Sequence, residues 1–380
     1  MFRLRSFLLL SSALEPELVP LDVLVDEERV PGYKPEHFYP ANPGDVLHGR
    51  YELKAKIGWG SSTNWIRPKR YVAIKICTCN VADNENHESD VTIHGPSHLA
   101  LVFKPMRDPL WLFRRRIAGE DRVNYRVLPL IKVYLKILLE GLDFLHSECH
   151  IIHTDLKLDN IMVTFEDPSI IEAFIQGQLK HPMARKRVGT RTVCRCHNDF
   201  GDIHNDKVLK NMYPKITDLG LAQRGDGPGS LLHPIQPNSC HAPEVLLDTG
   251  WSYSADIWNF GIMGDRNSYS AVQHLADMIA LLGPVPPALI QRERAMRQWR
   301  WSPQVLNSSG QLCGNAAEYF GGPFSTDDGN QLVPHTRIWE SEMPECIPRE
   351  EADRFFKFMR RVFCWLPEKR ATARELKDDP

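Results

Sequence analysis

The sequence predicts an α+β protein of two lobes, a small β-rich one followed by a larger α-helical one. Three observations carry this. Short stretches of alternating hydrophobicity cluster between residues 51 and 105. A long amphipathic helix follows, and beyond it the chain reads as helices and turn clusters such as "GDGPGS" and "GPVPP". At 380 residues the chain is long enough to give each lobe a core.

Residues 1–47, rich in Pro and acids, form an irregular tail and lead-in. In "YELKAKIGWGSST", Tyr51, Leu53, Ala55 and Ile57 alternate as on a half-buried strand, which ends at Gly58-Trp59-Gly60. In "RYVAIKICT", Val72, Ile74 and Ile76 share one face, and Ala73 and Lys75 the other. "HLALVFKP" gives a third strand. The helix lies in "VLPLIKVYLKILLEGLDFLHSECH", where Ile131, Tyr134, Leu138, Leu142 and Leu145 recur at steps of three and four. Lys132, Lys136, Glu140 and Asp143 decorate its outer face, so it is a buried-face helix and not a membrane span. The domain reading is 1–47 lead-in, 48–106 small lobe with hinge, and 107–380 large lobe with a spacer at about 164–213.

Hydrophobic residues make up 42% and charged residues 25%, with a formal net charge of −2. That balance gives no whole-chain pull toward nucleic acid or an anionic membrane. The nine cysteines include C-x-C pairs at Cys77/Cys79 and Cys194/Cys196 but no four-ligand zinc spacing, which reads as reduced thiols in an intracellular protein. Arg3 and Arg5 ahead of the apolar residues 7–10, with no acid before Glu15, have the pattern of a weak organelle presequence, mitochondrial in kind, or a poor signal peptide, against the simpler reading of a frayed tail.

The chemistry concentrates in "HIIHTDLKLDNIMV", directly behind the long helix. Phosphoryl transfer needs a carboxylate to orient the attacking hydroxyl, a cation near the transferring phosphate, and ligands for magnesium. Asp155, Lys157 and Asn160 supply these in the H-x-D-x-K-x-x-x-N spacing. A lone G-x-G is usually a plain turn, but Gly58-Trp59-Gly60 is followed by "YVAIK", which places Lys75 on a strand behind a phosphate-covering loop. "KITDLGLAQ" offers Asp218 as a second metal ligand. "HAPEVLL", "YSADIWNFG" and "WLPEKRATARELK" follow in order, with Glu244, Asp256, Trp258 and Arg370.

This ordered set resembles the eukaryotic protein kinases from about residue 48 onward. The resemblance implies a bilobal fold, with ATP and Mg2+ as cofactors. It assigns Asp155 as catalytic base, Lys157 to the transferring phosphate, and Asn160 and Asp218 to magnesium. Ile57, Gly58, Trp59, Gly60, Lys75, Phe103 at the gatekeeper and Met106 in the hinge would bind the nucleotide. Glu244, Asp256 and Arg370 would be structural, Asp256 tethering the catalytic loop. Lys157 marks the serine/threonine class. Thr154, where many regulated kinases carry a phosphate-clamping Arg, together with "GWG", "DLG" and the lead-in "PANPGDVLHGRYELKAKIGWG", resembles the SR-protein kinase (SRPK) family of the CMGC group. "FEDPSIIEAFIQ" and "GWSYSADIWN" are similar to its fungal branch. That family implies a protein substrate rich in Arg and Ser, no direct nucleic acid or membrane partner, a monomer, and placement in cytoplasm or nucleus. It also carries a spacer, and here Asn160 and Asp218 are 58 positions apart. The basic run "ARKRVGTR" inside the spacer reads as a solvated loop.

Three places depart from the pattern. The stretch between Gly60 and Tyr71 is short, ten residues where the family has a full second strand and a turn, and the usual V-W motif is not recognisable in it. After Lys75 the sequence is polar, so that most of the αC helix reads as absent, with Glu85 and Glu88 the only nearby partners for the lysine. "DIWNFGIM" passes at once into "GDRNSYSAVQHL", as if αF were cut short. A catalytically impaired pseudokinase acting as a binding module is therefore the alternative expectation. A small-molecule kinase of the aminoglycoside or choline type has no counterpart to "HAPEVLL".

Overall fold

The computed structural model describes residues 14–30, 32–58, 62–66, 71–78, 90–91, 98–118, 128–203, 206–227, 231–262, 269–322 and 347–379. In chain order its strands are β1 (Val46–Leu47), β2 (Tyr51–Glu52), β3 (Lys56–Gly58), β4 (Ser62–Ile66), β5 (Ala73–Cys77), β6 (Asp90–Val91) and β7 (His98–Phe103). They continue with β8 (Ile151–Ile152), β9 (Ile161–Val163), β10 (Arg185–Val188), β11 (Arg191–Cys194), β12 (Pro214–Ile216), β13 (Gln223–Arg224), β14 (Val305–Leu306) and β15 (Leu312–Cys313). The helices are α1 (Leu110–Ala118), α2 (Leu128–Ser147), α3 (Ser169–Lys180), α4 (Pro243–Leu246) and α5 (Ser254–Gly261). They are followed by α6 (Ala271–Leu282), α7 (Pro287–Met296), α8 (Ala316–Phe320), α9 (Arg349–Val362) and α10 (Ala373–Lys377). No helix among the described residues is long and apolar enough to cross a membrane.

The chain divides into two compact units, Met1–Arg107 with Thr164–Met212, and Asp108–Val163 with Tyr213–Pro380. The spacer thus packs with the first unit, whereas the sequence placed it in the large lobe. Contiguity in sequence suggested the large lobe; side-chain burial decided otherwise.

In the first unit, β3, β4, β5, β7 and β6 form an antiparallel sheet in that order. Alternation made the central strand: Ile74 and Ile76 are buried while Ala73, Lys75 and Cys77 are half-buried. The second strand that the family has is present as β4, although its usual V-W motif is not recognisable, and it pairs with both β3 and β5. Its residues "STNWI" carry little alternation, so cross-strand pairing and not an apolar face defines it. Residues 79–89, with Glu85 and Glu88, and residues 92–97 lie outside the described residues, so the expected loss of αC is not addressed there. The spacer supplies α3, whose Ile171, Phe174 and Ile175 join Leu53, Ala55, Ile74, Ile76 and Phe200 in one core. "ARKRVGTR" is no solvated loop: β10 and β11 form an antiparallel hairpin around Gly189, at φ +61°. The lead-in is irregular but held, with Val19 and Val25 packed on Val193.

The second unit has its core around α2 and α5, with Leu138, Leu142, Ile152, Leu156, Ile257 and Trp258 all buried. The helix periodicity holds, but Asp143 does not decorate an outer face. It is buried and receives Lys377 Nζ at 2.9 Å and Arg374 Nε at 3.2 Å from α10. The short αF corresponds to α5, which ends at Gly261. A Cβ on Gly261 would lie 2.5 Å from the Phe363 ring, so this glycine sets the approach of α5 to the end of α9.

Candidate active site

The sequence assigned the site to residues that the fold carries on both units. On the first unit, Ile57 and Gly58 end β3, where the β3–β4 register shifts between Lys56 and Gly58. Lys75 is half-buried in the middle of β5, opposite Asn64 and Leu101. Phe103 closes β7 at 50% exposure, an open position for a gatekeeper, and Met106 is half-buried. Trp59 and Gly60 lie outside the described residues.

On the second unit the fold assembles Asp155, Lys157 and Asn160, with Asp218 beside them in the chain path. β9 begins right after Asn160, and β12 ends two residues before Asp218. Their antiparallel pairing, Ile216 opposite Ile161, closes the 58-residue gap. The Asn160 carbonyl then accepts from Thr217 N at 2.8 Å and Thr217 Oγ1 at 2.9 Å. Asn160 Nδ2 donates to Asp155 Oδ2 at 2.8 Å and to the Asp155 carbonyl at 2.8 Å. Lys157 Nζ stands 3.1 Å from the same Oδ2. One carboxylate oxygen of Asp155 is thereby pinned, which restricts its side chain to a single orientation.

The loop itself is braced from below. Asp256, fully buried on α5, accepts from His153 N at 2.7 Å and Thr154 N at 2.9 Å. His146 Nε2 lies 2.9 Å from its Oδ2. A carboxylate that gathers two backbone amides and an imidazole makes charge-assisted bonds, each worth about 1.5–3 kcal/mol. They support Thr154 at φ +65°, a left-handed position, shared by His150 at +54° and Asp218 at +62°, that costs about 1–3 kcal/mol in residues other than glycine. His153 Nε2 donates to the Thr217 carbonyl at 3.0 Å. Its Nδ1 is then the acceptor for Asp155 N at 3.3 Å, which fixes the ring's tautomer.

Thr154 answers for the missing arginine. Its Oγ1 donates to the Leu221 carbonyl at 2.9 Å, tying the catalytic loop to the segment after Asp218. That segment continues as β13, paired with β8, and Gly225 N donates to the His150 carbonyl at 2.8 Å. A Cβ on Gly225 would collide with the Tyr253 ring. Farther along, Arg370 grips Glu244 with two bonds, 2.7 and 2.9 Å, both side chains fully buried. The guanidinium also lies 5.1 Å from the Trp258 ring centroid.

Sequence reasoning passed over His146 and Thr217. His146 lies in the last turn of α2, and its partner lies 110 positions on. Thr217 had a signal in its place directly before Asp218 in "ITDLG".

A magnesium ion suits this donor set. Asn160 Nδ2 is spent on Asp155, so its Oδ1 is the amide end that can face a cation, and with the Asp218 carboxylate it offers hard oxygen ligands.

These features are what a phosphoryl-transfer site of the kind expected from the sequence would need. The protein kinase domain profile matches residues 91–265. A crystallised kinase domain covers 90% of this chain, and 98% of its own length, with TM-score 0.54 at 19% identity. A serine/threonine protein kinase of Aspergillus fumigatus is 29% identical over 94% of this chain and 91% of its own. The serine/threonine-protein kinase SRPK of Physarum polycephalum is 27% identical over 93% and 91%. SRSF protein kinase 3 of mouse is 31% identical over 35% of this chain and 29% of its own. Residues 91–265 thus match the protein kinase domain, and the chain as a whole is similar to serine/threonine kinases of the SRPK kind.

Proposed function

We propose that the chain transfers the γ-phosphoryl group of Mg-ATP to a serine or threonine hydroxyl of a protein substrate, and that its substrates are Arg/Ser-rich. The observation that carries this reading is the catalytic-loop cluster: Asp155 held by Asn160 and Lys157 on a loop that Asp256 braces. Asp155 orients the incoming hydroxyl through its outer oxygen and accepts the proton as the phosphoryl group departs. Lys157, 3.1 Å from that carboxylate, can turn toward the transferring phosphate and offset its charge. Asn160 Oδ1 and the Asp218 carboxylate would hold magnesium, which supplies charge neutralisation of the phosphates when bound. On the first unit, the reading assigns Ile57, Gly58 and Lys75 to the nucleotide. Arg/Ser-rich proteins as the substrate class rest on likeness to the SRPK kinases.

Purified chain is incubated with labelled Mg-ATP and an Arg-Ser peptide, beside a Ser-containing peptide without arginine. Incorporation into the Arg-Ser peptide, abolished by Asp155→Asn, is the expected result. Equal rates on both peptides would remove the substrate class. Wild-type incorporation no greater than that of Asp155→Asn would remove the activity.

A further inference from the structure

The first unit holds a buried cation for which phosphoryl transfer has no direct use. Lys56 lies on β3, two positions before Gly58, with only 2% of its side chain exposed. Two chain segments close on it. The lead-in brings Asp26, 3.0 Å from Nζ, and Glu27, also hydrogen-bonded to Nζ. The spacer hairpin brings the Cys194 carbonyl, which accepts from Nζ at 3.0 Å. The backbone is gripped as well: Lys56 N faces Met183 Sδ at 3.2 Å, and the Lys56 carbonyl accepts from His197 N at 2.9 Å. A second pair, Glu28 with Lys186 at 2.7 Å, ties the same lead-in turn to β10. Asp26 adopts φ +50°, a left-handed position that persists only where its surroundings enforce it.

Stability alone does not explain this arrangement. Burying a charge triad costs desolvation that its attraction barely offsets, and apolar replacements are commonly neutral or stabilising. Geometry is what a three-way clamp adds. Its location is specific: the β3–β4 register shifts between Lys56 and Gly58, leaving Ile57 as the extra residue of a bulge. Bulges re-aim side chains beside functional sites. Ile57 and Gly58 are among the described residues that the kinase reading assigns to the nucleotide.

We propose that Lys56 is a positioning residue for nucleotide binding: the lead-in and the spacer hairpin close on its ammonium and so fix the bulge at Ile57 and the root of the glycine loop. The inference rests on the kinase reading above. Lead-in and spacer then do more than cover the sheet, since both reach the nucleotide strand through one side chain. Burial opposes the charge on Lys56, but Glu27 and Asp26 outweigh it and hold its pKa above the usual lysine value, so the clamp stays charged at neutral pH.

The test uses the full chain and two variants, Lys56→Met and the triple Lys56→Met/Asp26→Asn/Glu27→Gln. The triple removes all three charges together and keeps the fold if the single variant does not. A fluorescent ATP analogue is titrated with magnesium, and KM is measured separately for ATP and peptide, with Tm alongside. Expected for the triple variant is a Tm near that of the parent, with nucleotide affinity and KM for ATP worse by about tenfold, the worth of one charge-assisted contact. Its kcat and peptide KM stay within about twofold. A folded triple variant with parental nucleotide affinity overturns the proposal and leaves the kinase reading intact. A parent chain that binds no nucleotide overturns the kinase reading first, before any variant is compared.

Discussion

Asp256→Asn isolates the brace under the catalytic loop. The wild-type carboxylate uses Oδ1 for Thr154 N and Oδ2 for both His153 N and His146. An asparagine keeps one acceptor oxygen. Whichever way the amide turns, its NH2 faces a backbone N–H, so one buried donor loses its partner and meets another donor. Losing a charge-assisted bond and orphaning a buried amide together cost about 2–4 kcal/mol. That is a fraction of a typical folding free energy of about 5–15 kcal/mol, so the variant still folds. The cost falls where Thr154 holds φ +65°. Released from Asp256, Thr154 relaxes toward ordinary backbone angles and carries Asp155 with it. A displacement of about 1 Å at the base lowers kcat by about 100-fold. KM for ATP should change by less than about threefold, because Asp256 has no part in holding the phosphates. Steady-state kinetics on an Arg-Ser peptide gives both constants, and hydrogen exchange followed at His153 and Thr154 reports the freed amides. Wild-type kcat with unchanged protection at those two amides would refute the reasoning.

Two further outcomes follow from buried groups. Arg370→Lys keeps the charge but loses the fork on Glu244, both side chains being fully buried, and should lower stability by about 3 kcal/mol in denaturant titration. An unchanged midpoint would show that the pair is dispensable. His241 is buried beside Tyr269 and His274, and burial followed by the His274 charge lowers its pKa from 6.5 to about 3. The folded state therefore holds the ring neutral. Below pH 6.5 only the unfolded chain takes up this proton, and stability falls with pH by up to about 1.4 kcal/mol per unit. Stability measured from pH 7 to 5 should fall less steeply in His241→Gln; identical slopes would exclude His241 as the source.

The catalytic loop was legible because its chemistry is local: Asp155, Lys157 and Asn160 lie within six positions, and a rigid helix directly before them needs only its own periodicity to be recognised. β5 and β7 were legible for the same reason, since alternation of apolar side chains is a property of neighbours. What failed involved partners far away. Lys56 stands between the alternating Ala55 and Ile57 and carries no signal of its own, because its partners lie 29 and 138 positions off. Asp143 reads as helix decoration, yet Arg374 and Lys377 cover it from 231 and 234 positions away. β4 has no apolar period of its own and exists through pairing with β3 and β5.

By itself, then, the sequence pointed to the class of the protein and to the candidates for its reacting groups, because those depend on residue type and short spacing. The tertiary structure decided which charges are buried, to which unit the spacer belongs, and how Asp256, His146 and Thr217 hold the loop. Burial of an ionisable group is favourable only when a partner meets it, and which residue meets it is fixed by packing over hundreds of positions, not by the stretch in which the group stands.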